Sequence, residues 1–326
     1  TATLKNDGSP NVTEVKLYVN GKEEAYSAQL GEPIDTAIGD DMWIGGESFG
    51  TRDFHGEIDD FGTLPKPIKR AIRKGLKLMC REIQLAVAAA QRAVQDARLA
   101  EQDQLPERTG TLFGCDHIST TPDEFVAAAR ACLNQEGAFQ FDQWAPLGLP
   151  NVTPLWLLKY LPNMPASHIA IYNDFRGPSN SLTYREASSY LALGEAYCTI
   201  ARGAADRIVT GATGSSLYPL RAVQVLLRSE LATGQEDPAA LCRPFERDRS
   251  GTVMGEGAAA MLLENWELAE RRGATIYGEI VGHGSSVALD RLSRARTEVA
   301  IANALRMALH SANLSPVQIG HYNAHG

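Results

Sequence analysis

The hydrophobic and polar positions divide the chain into two parts that meet at Leu64. In the first part, apolar and polar side chains alternate in short runs such as 14–23, and the Asn20-Gly21 pair inside that run is typical of a hairpin turn. Short runs with glycine turns recur at 42–46 and 54–61. Residues 1–63 are therefore predicted to form an all-β segment.

The second part shows the rhythm of an α/β fold. Apolar side chains recur every three or four positions from Ile68 to Ile83, which predicts a helical stretch from Leu64 to Asp96. Beyond it, short apolar runs alternate with longer amphipathic ones, which predicts a sheet covered by helices. The predicted strands are 111–114, 168–172, 205–211, 258–263 and 276–282, and the predicted helices are 122–134, 187–202, 266–272 and 296–311.

Composition narrows the class of protein. A chain of 326 residues with 44% hydrophobic and 21% charged residues suits two globular units. The net charge of −8 argues against a general nucleic-acid binder, and the sequence has no run of 18 apolar residues that would predict a membrane span. Five widely spaced cysteines favour a reducing compartment over a disulfide framework or a zinc site, so a cytoplasmic protein without a metal is predicted. The start at Thr1 rather than Met leaves a secretory origin of the first residues open.

The helix predicted over 187–202 is rich in small side chains and almost free of charge, which indicates that it is buried. It follows the Gly177-Pro178 pair and a short extended piece. A residue at the N-terminus of a buried helix experiences the positive end of the helix dipole and unpaired N–H groups. Enzymes place a catalytic thiolate at such a position. Here the position holds Glu186.

Four segments resemble, in the same order, those of the elongating β-ketoacyl-[acyl-carrier-protein] synthases. They are the elbow from Gly177-Pro-Ser to Ser188-Ser189, the strand 205–212, the glycine-rich hairpin 243–258 and the terminal Tyr322-Asn-Ala-His-Gly. The resemblance extends over 64–326 and implies a thiolase-like, layered α/β/α fold. That fold is incomplete here, because the family's opening strand and C-terminal part have no counterpart in the sequence.

The resemblance also implies roles for two residues. Glu186 stands where the family carries the nucleophilic cysteine that takes the acyl group, and a carboxylate is a far weaker acyl acceptor than a thiolate. Non-condensing relatives, the chain-length-factor-like subunits and decarboxylating synthases, carry Gln at this position. Impaired condensation, with possible malonyl decarboxylation, is therefore implied; the alternative is that Glu186 only caps the helix. His325 is implied as the active-site histidine that stabilises an enolate.

A row of basic residues and the family resemblance together predict the binding partners of the protein. A basic row that includes Arg70, Arg73 and Lys77 lies offset from the apolar face of the first predicted helix. Acyl carrier proteins are acidic, so this row is predicted to dock one, with a merely solvated helix face as the alternative. In the family, the elbow packs across a twofold axis, which implies a homodimer or a heterodimer with a Cys-bearing ketosynthase paralogue. The family implies no cofactor.

The first part resembles the end of another fold. The Lys16-Leu-Tyr-Val-Asn-Gly-Lys phrase and the runs near 43–46 and 54–61 are similar to the last strands of a laminin-G/concanavalin-like jelly roll. The predicted organisation is thus a partial jelly-roll-like segment, 1–63, followed by a partial β-ketoacyl synthase-like domain, 64–326. Two other interpretations stay open: a carbohydrate-binding lectin-like module, and a fusion of two gene fragments without activity.

Overall fold

The computed structural model describes residues 2–3, 16–19, 22–24, 64–100, 103–227, 231–232, 234 and 240–323. The chain forms two compact units, each assembled from three separate stretches of sequence. The first unit comprises Thr1–Ala88, Ile118–Met164 and Gly214–Gly257. The second unit comprises Ala89–His117, Pro165–Thr213 and Ala258–Gly326.

The described residues contain seven strands and eight α-helices. The strands are β1 Ala2–Thr3, β2 Lys16–Val19, β3 Lys22–Glu24, β4 Thr109–Cys115, β5 Ser179–Leu182, β6 Arg207–Ser215 and β7 Glu256–Glu264. The helices are α1 Lys66–Gly75, α2 Arg81–Asp96, α3 Asp123–Ala131, α4 Met164–Asn173, α5 Ser188–Ala201, α6 Pro219–Leu227, α7 Trp266–Arg271 and α8 Thr297–Ala312.

A small antiparallel sheet, β1-β2-β3, lies near the beginning of the chain. The pairing of β2 with β3 sets Val19 opposite Lys22, which is the register that the predicted hairpin requires. The turn residues 20 and 21 and the runs at 42–46 and 54–61 lie outside the described residues. The jelly-roll-like organisation of 1–63 and the boundary at Leu64 therefore stay predictions.

The larger sheet has the order β5-β4-β6-β7 and carries the α/β architecture predicted from the sequence. Its central strand β4 is buried at every position and pairs in parallel with β5 on one side and β6 on the other. A strand buried on both faces reads as a nearly continuous apolar run, which is why β4 and β6 were predictable. Helix α5 packs on β4. The core between them contains Leu112, Ala196, Ala205 and Ile208.

Charged side chains are also buried in the second unit, and they are paired. Arg207 on β6 donates to the Glu264 carboxylate at 2.7 Å, and Arg272 donates to the same carboxylate, also at 2.7 Å. One further nitrogen of each guanidinium donates to a backbone carbonyl, Arg207 Nη1 to Asp103 and Arg272 Nη1 to Ala97. Each buried charge of the cluster thus has an ion-pair partner and hydrogen bonds, which offset the cost of burying it.

Three of the predicted elements are wrong. The stretch 168–172 lies inside helix α4, because its short Ile-Ala-Ile-Tyr run fits a buried helix as well as a strand. Residues 276–282 form no strand. The single helical stretch 64–96 is two helices, α1 and α2, separated by a 3₁₀ turn at Leu76–Leu78 and an extended Met79.

Candidate functional site

The elbow connects strand β5 to helix α5 at one edge of the sheet. The parallel register pairs Gly114 with Leu182, so β4 and β5 end side by side. The chain then passes through a 3₁₀ turn, Arg185–Ala187, before α5 begins. Ligands of parallel α/β sheets bind at the carboxyl ends of the strands, and the elbow lies at that edge.

Close backbone contact and one buried hydroxyl fix the start of α5 against β4. A Cβ atom at Gly114 would lie 2.5 Å from the Ser188 carbonyl oxygen, so only glycine permits this approach. The Ser188 hydroxyl donates to the Cys115 carbonyl at 3.0 Å and accepts from the Tyr184 N–H at 2.8 Å. Two hydrogen bonds from one side chain therefore join the end of β4 to both sides of the elbow turn.

Glu186 lies in this turn with its side chain 66% exposed. The preceding Arg185 has a left-handed backbone, φ 52°, and its guanidinium lies 3.8 Å from the Glu186 carboxylate. Neither the 3₁₀ turn nor α5 has a side-chain hydrogen bond at its N-cap. Capping by Glu186 is therefore limited to the attraction between its charge and the helix dipole. The elbow thus presents a carboxylate to solvent immediately before α5.

The other implied site residues lie elsewhere. Arg70 and Arg73 are exposed on α1, and Lys77 is exposed in the 3₁₀ turn that follows it. Among the described residues none of the three makes an ion pair. These residues belong to the first unit, whereas the elbow belongs to the second. His325 lies outside the described residues, so its role stays a prediction.

A cavity of about 750 Å³ lies in the second unit. Leu193, Tyr197 and Ile200 line it from helix α5, and the Glu264–Arg272 ion pair forms part of its wall. Within the described part of the chain no group of three or more potential ligands is placed to hold a metal ion. None of the helices described there has the length and apolar character that a membrane crossing requires.

Comparison with known proteins identifies the scaffold. The family model "Beta-ketoacyl synthase, N-terminal domain" matches residues 48–269, which is more than half of the chain. The chain belongs to the β-ketoacyl synthase family. The match agrees with the elbow, the parallel strands and the glycine-rich hairpin found in the sequence.

Two curated relatives carry synthase names. A 3-oxoacyl-[acyl-carrier-protein] synthase 2 from Staphylococcus aureus is 29% identical over 272 residues, 83% of this chain and 61% of that protein. A mitochondrial 3-oxoacyl-[acyl-carrier-protein] synthase from Arabidopsis thaliana is 31% identical over 268 residues, 81% of this chain and 55% of that protein. The chain thus spans 55–61% of the length of these relatives.

Solved structures agree on the fold. A β-ketoacyl synthase from Burkholderia phymatum STM815 superposes with a TM-score of 0.63 at 29% identity, covering 78% of this chain and 59% of that one. The ishigamide ketosynthase/chain length factor superposes with a TM-score of 0.57 at 25% identity, covering 75% of this chain and 56% of that one. The thiolase-like α/β fold of this β-ketoacyl synthase family member is therefore confirmed.

One contact between potentially reactive side chains was missed by the sequence analysis. Cys198 on α5 lies 2.8 Å from His283, a residue for which no functional role was predicted from the sequence. The two positions are 85 residues apart, and the segment before His283 was predicted to be a strand. No local spacing signals this pair. His168, by contrast, is buried against Tyr172 as a packing residue.

Proposed function

We propose that this β-ketoacyl synthase family member works in fatty-acid or polyketide synthesis as a non-condensing subunit that decarboxylates malonyl groups. Glu186 carries the proposal, because it replaces the acyl-accepting thiol at the elbow. The names of the synthase relatives and the fold shared with a ketosynthase/chain length factor support the pathway.

The chemistry separates condensation from decarboxylation. Condensation needs a nucleophile that holds an acyl group until the second substrate attacks, and an acyl–carboxylate anhydride hydrolyses instead. Decarboxylation of a malonyl thioester needs no such nucleophile: the bond to the carboxylate breaks, CO₂ leaves, and the enolate takes a proton from water. Groups that stabilise the enolate oxygen lower this barrier, a role that the family resemblance gives to His325.

The decisive experiment offers the purified protein malonyl- and acyl-loaded carrier protein and follows CO₂ release together with intact protein mass. We expect CO₂ release without a stable acyl adduct. An adduct on Glu186 would overturn the proposed loss of condensation. Absence of CO₂ release with the full chain would rule out the decarboxylating role.

A designed thiol sharpens this test. Glu186→Cys places a nucleophile at the elbow, and we expect it to form an acyl adduct that peptide mapping locates at position 186. Glu195→Cys is the matched control, because this glutamate lies on the same helix, is 40% exposed and is remote from the elbow turn. Equal acylation of both variants would show that the elbow does not direct the acyl group.

An acidic acyl carrier protein is the proposed partner, and the basic row of Arg70, Arg73 and Lys77 is its proposed docking surface. All three side chains are exposed on the first unit of an otherwise acidic protein. Exposed charge pairs contribute little individually but add up and steer association. Reversing all three charges is therefore expected to weaken carrier-protein binding about tenfold at low salt.

The matched control reverses three exposed arginines outside the row, at positions 271, 291 and 306. It changes the net charge by the same amount, so a general charge effect would weaken binding equally in both proteins. Binding is measured by titration at low and high salt. Unchanged affinity after reversal of Arg70, Arg73 and Lys77 would exclude this surface.

A further inference from the structure

Cys198 and His283 form a close pair of reactive side chains in the second unit. The Cys198 sulfur lies 2.8 Å from His283 Nε2. The imidazole also lies over Gly194, one turn earlier on α5, where a Cβ would be in ordinary contact with the His283 ring at 3.4 Å. The Tyr197 ring meets the imidazole nearly edge-on, with an interplanar angle of 82°. The histidine is thus held on the helix surface beside the thiol.

The Cys198–His283 pair is accessible to small molecules, and its thiol is not committed to a disulfide bond. Cys198 and His283 are both partly exposed, whereas Cys80, Cys115 and Cys132 are buried. Glu195 and Arg202 flank Cys198 on the same helix face and are 3.9 Å apart, so their opposite charges compensate each other. The pair is not part of a metal cluster among the described residues, and Cys198 is a free thiol.

We propose that Cys198 and His283 are a nucleophile–base pair that undergoes thiol–disulfide exchange with small disulfides. His283 Nε2 takes the thiol proton while the Cys198 sulfur attacks one sulfur of the disulfide. A new S–S bond joins Cys198 to that sulfur, and the original S–S bond breaks. The departing thiolate takes the proton from the imidazolium and leaves as a thiol, so no other oxidant is required.

This site is separate from the elbow. Cys198 follows Ser188 by ten positions on α5, a rise of about 15 Å along the helix. The thiol therefore cannot replace the missing nucleophile at Glu186 without rearrangement of the helix. Exchange at Cys198 is a modification of the protein, and it stands whether or not the protein decarboxylates malonyl groups.

The test measures the rate at which each cysteine of the full chain reacts with oxidised glutathione at neutral pH. Mixed disulfides are located by peptide mapping after the remaining thiols are blocked. Cys242 is the internal control, because it is exposed and no thiol–imidazole contact is present at it among the described residues. We expect Cys198 to react faster than Cys242 although it is less exposed. Equal or slower reaction of Cys198 would contradict the proposal.

His283→Gln separates base catalysis from simple accessibility. Loss of the base is expected to slow the reaction of Cys198 at least about tenfold and to leave Cys242 unchanged. A merely structural role for His283 predicts the opposite, because loosening the segment would expose Cys198 and speed its reaction. An unchanged or faster reaction in this variant would overturn the assignment of His283 as the base.

Discussion

The Glu82 carboxyl group is buried on α2, where the Tyr218 hydroxyl donates a hydrogen bond to it at 2.6 Å. Burial raises the pKa of Glu82 above its ordinary value of 4.5, and this effect outweighs the Tyr218 hydrogen bond, which lowers it. The folded protein therefore holds this proton more tightly than the unfolded chain does. The contribution of Glu82 to the free energy of unfolding is therefore largest at acidic pH, and it decreases as the pH rises through the raised pKa.

Glu82→Gln removes this titration and keeps a hydrogen-bond acceptor for Tyr218. We expect the difference in unfolding free energy between the variant and the parent to grow in favour of the variant as pH rises from about 5 to 8. Urea unfolding at several pH values measures it. Glu136→Gln, an exposed glutamate of the same unit, is the control and should show no such trend. A pH-independent difference for Glu82→Gln would contradict the raised pKa.

A residue could be assigned a role from the sequence only where that role depends on its spacing from nearby residues in the chain. Glu186 could be singled out because its predicted role rests on its spacing from Gly177-Pro178, only nine residues away in the sequence. The contact of Cys198 with His283 depends on how a distant irregular segment lies over α5. Such a contact depends on tertiary packing, so it cannot be predicted from the pattern of residues close to either side chain in the sequence.

At the scale of elements, burial helped the prediction of some strands and caused one buried helix to be predicted as a strand. Strands β4 and β6 are largely buried, and each contains a short apolar run, Leu112-Phe113 and Ile208-Val209, that predicts a strand. Helix α4 was predicted as a strand because it is apolar on most sides, with buried residues that include His168, Ile169 and Tyr172. Without a polar face the helical period disappears.

Substitution of Gly114 tests whether the close approach of β4 to the start of α5 is required for stability. A side chain at this position would meet the Ser188 backbone, so Gly114→Ala must push the start of α5 away from β4. We expect a loss of about 1–3 kcal/mol in unfolding free energy, the usual range for overpacking. Gly257→Ala is the matched control, because a Cβ at that strand position meets nothing within 4 Å. Urea unfolding compares the two variants, and equal effects would show that the close approach is not required.

At the scale of the whole molecule, the sequence predicted the family and the α/β scaffold, but it did not show that each compact unit combines separate stretches of the chain. Each unit collects three stretches of chain, so no linker or change of composition marks the division. The elbow itself is open to solvent, with Tyr184 and Tyr190 each 65% exposed. Large exposed apolar side chains around one edge strand are typical of an interaction surface.

We propose that a second copy of the chain covers this surface, which is one of the two dimers that the family resemblance implies, the other being a heterodimer with a Cys-bearing paralogue. Strand β5 lies at the edge of the sheet, and the Pro178 carbonyl accepts from Thr111 on β4. Because successive residues of a strand alternate, Asn180 also faces β4 and the Ser181 backbone faces outward. The Ser181 N–H donates to the Asn180 side-chain oxygen at 2.9 Å, an exposed bond that pairing with a second copy would replace. Ser181→Pro removes that outward N–H and spares the bonds to β4, so we expect it to convert dimers to monomers at micromolar concentration. Ser181→Ala is the control. Analytical ultracentrifugation measures the mass of each protein in solution. A homodimer through this edge would be excluded if the Ser181→Pro variant remained dimeric. It would also be excluded if the parent protein were monomeric at every concentration.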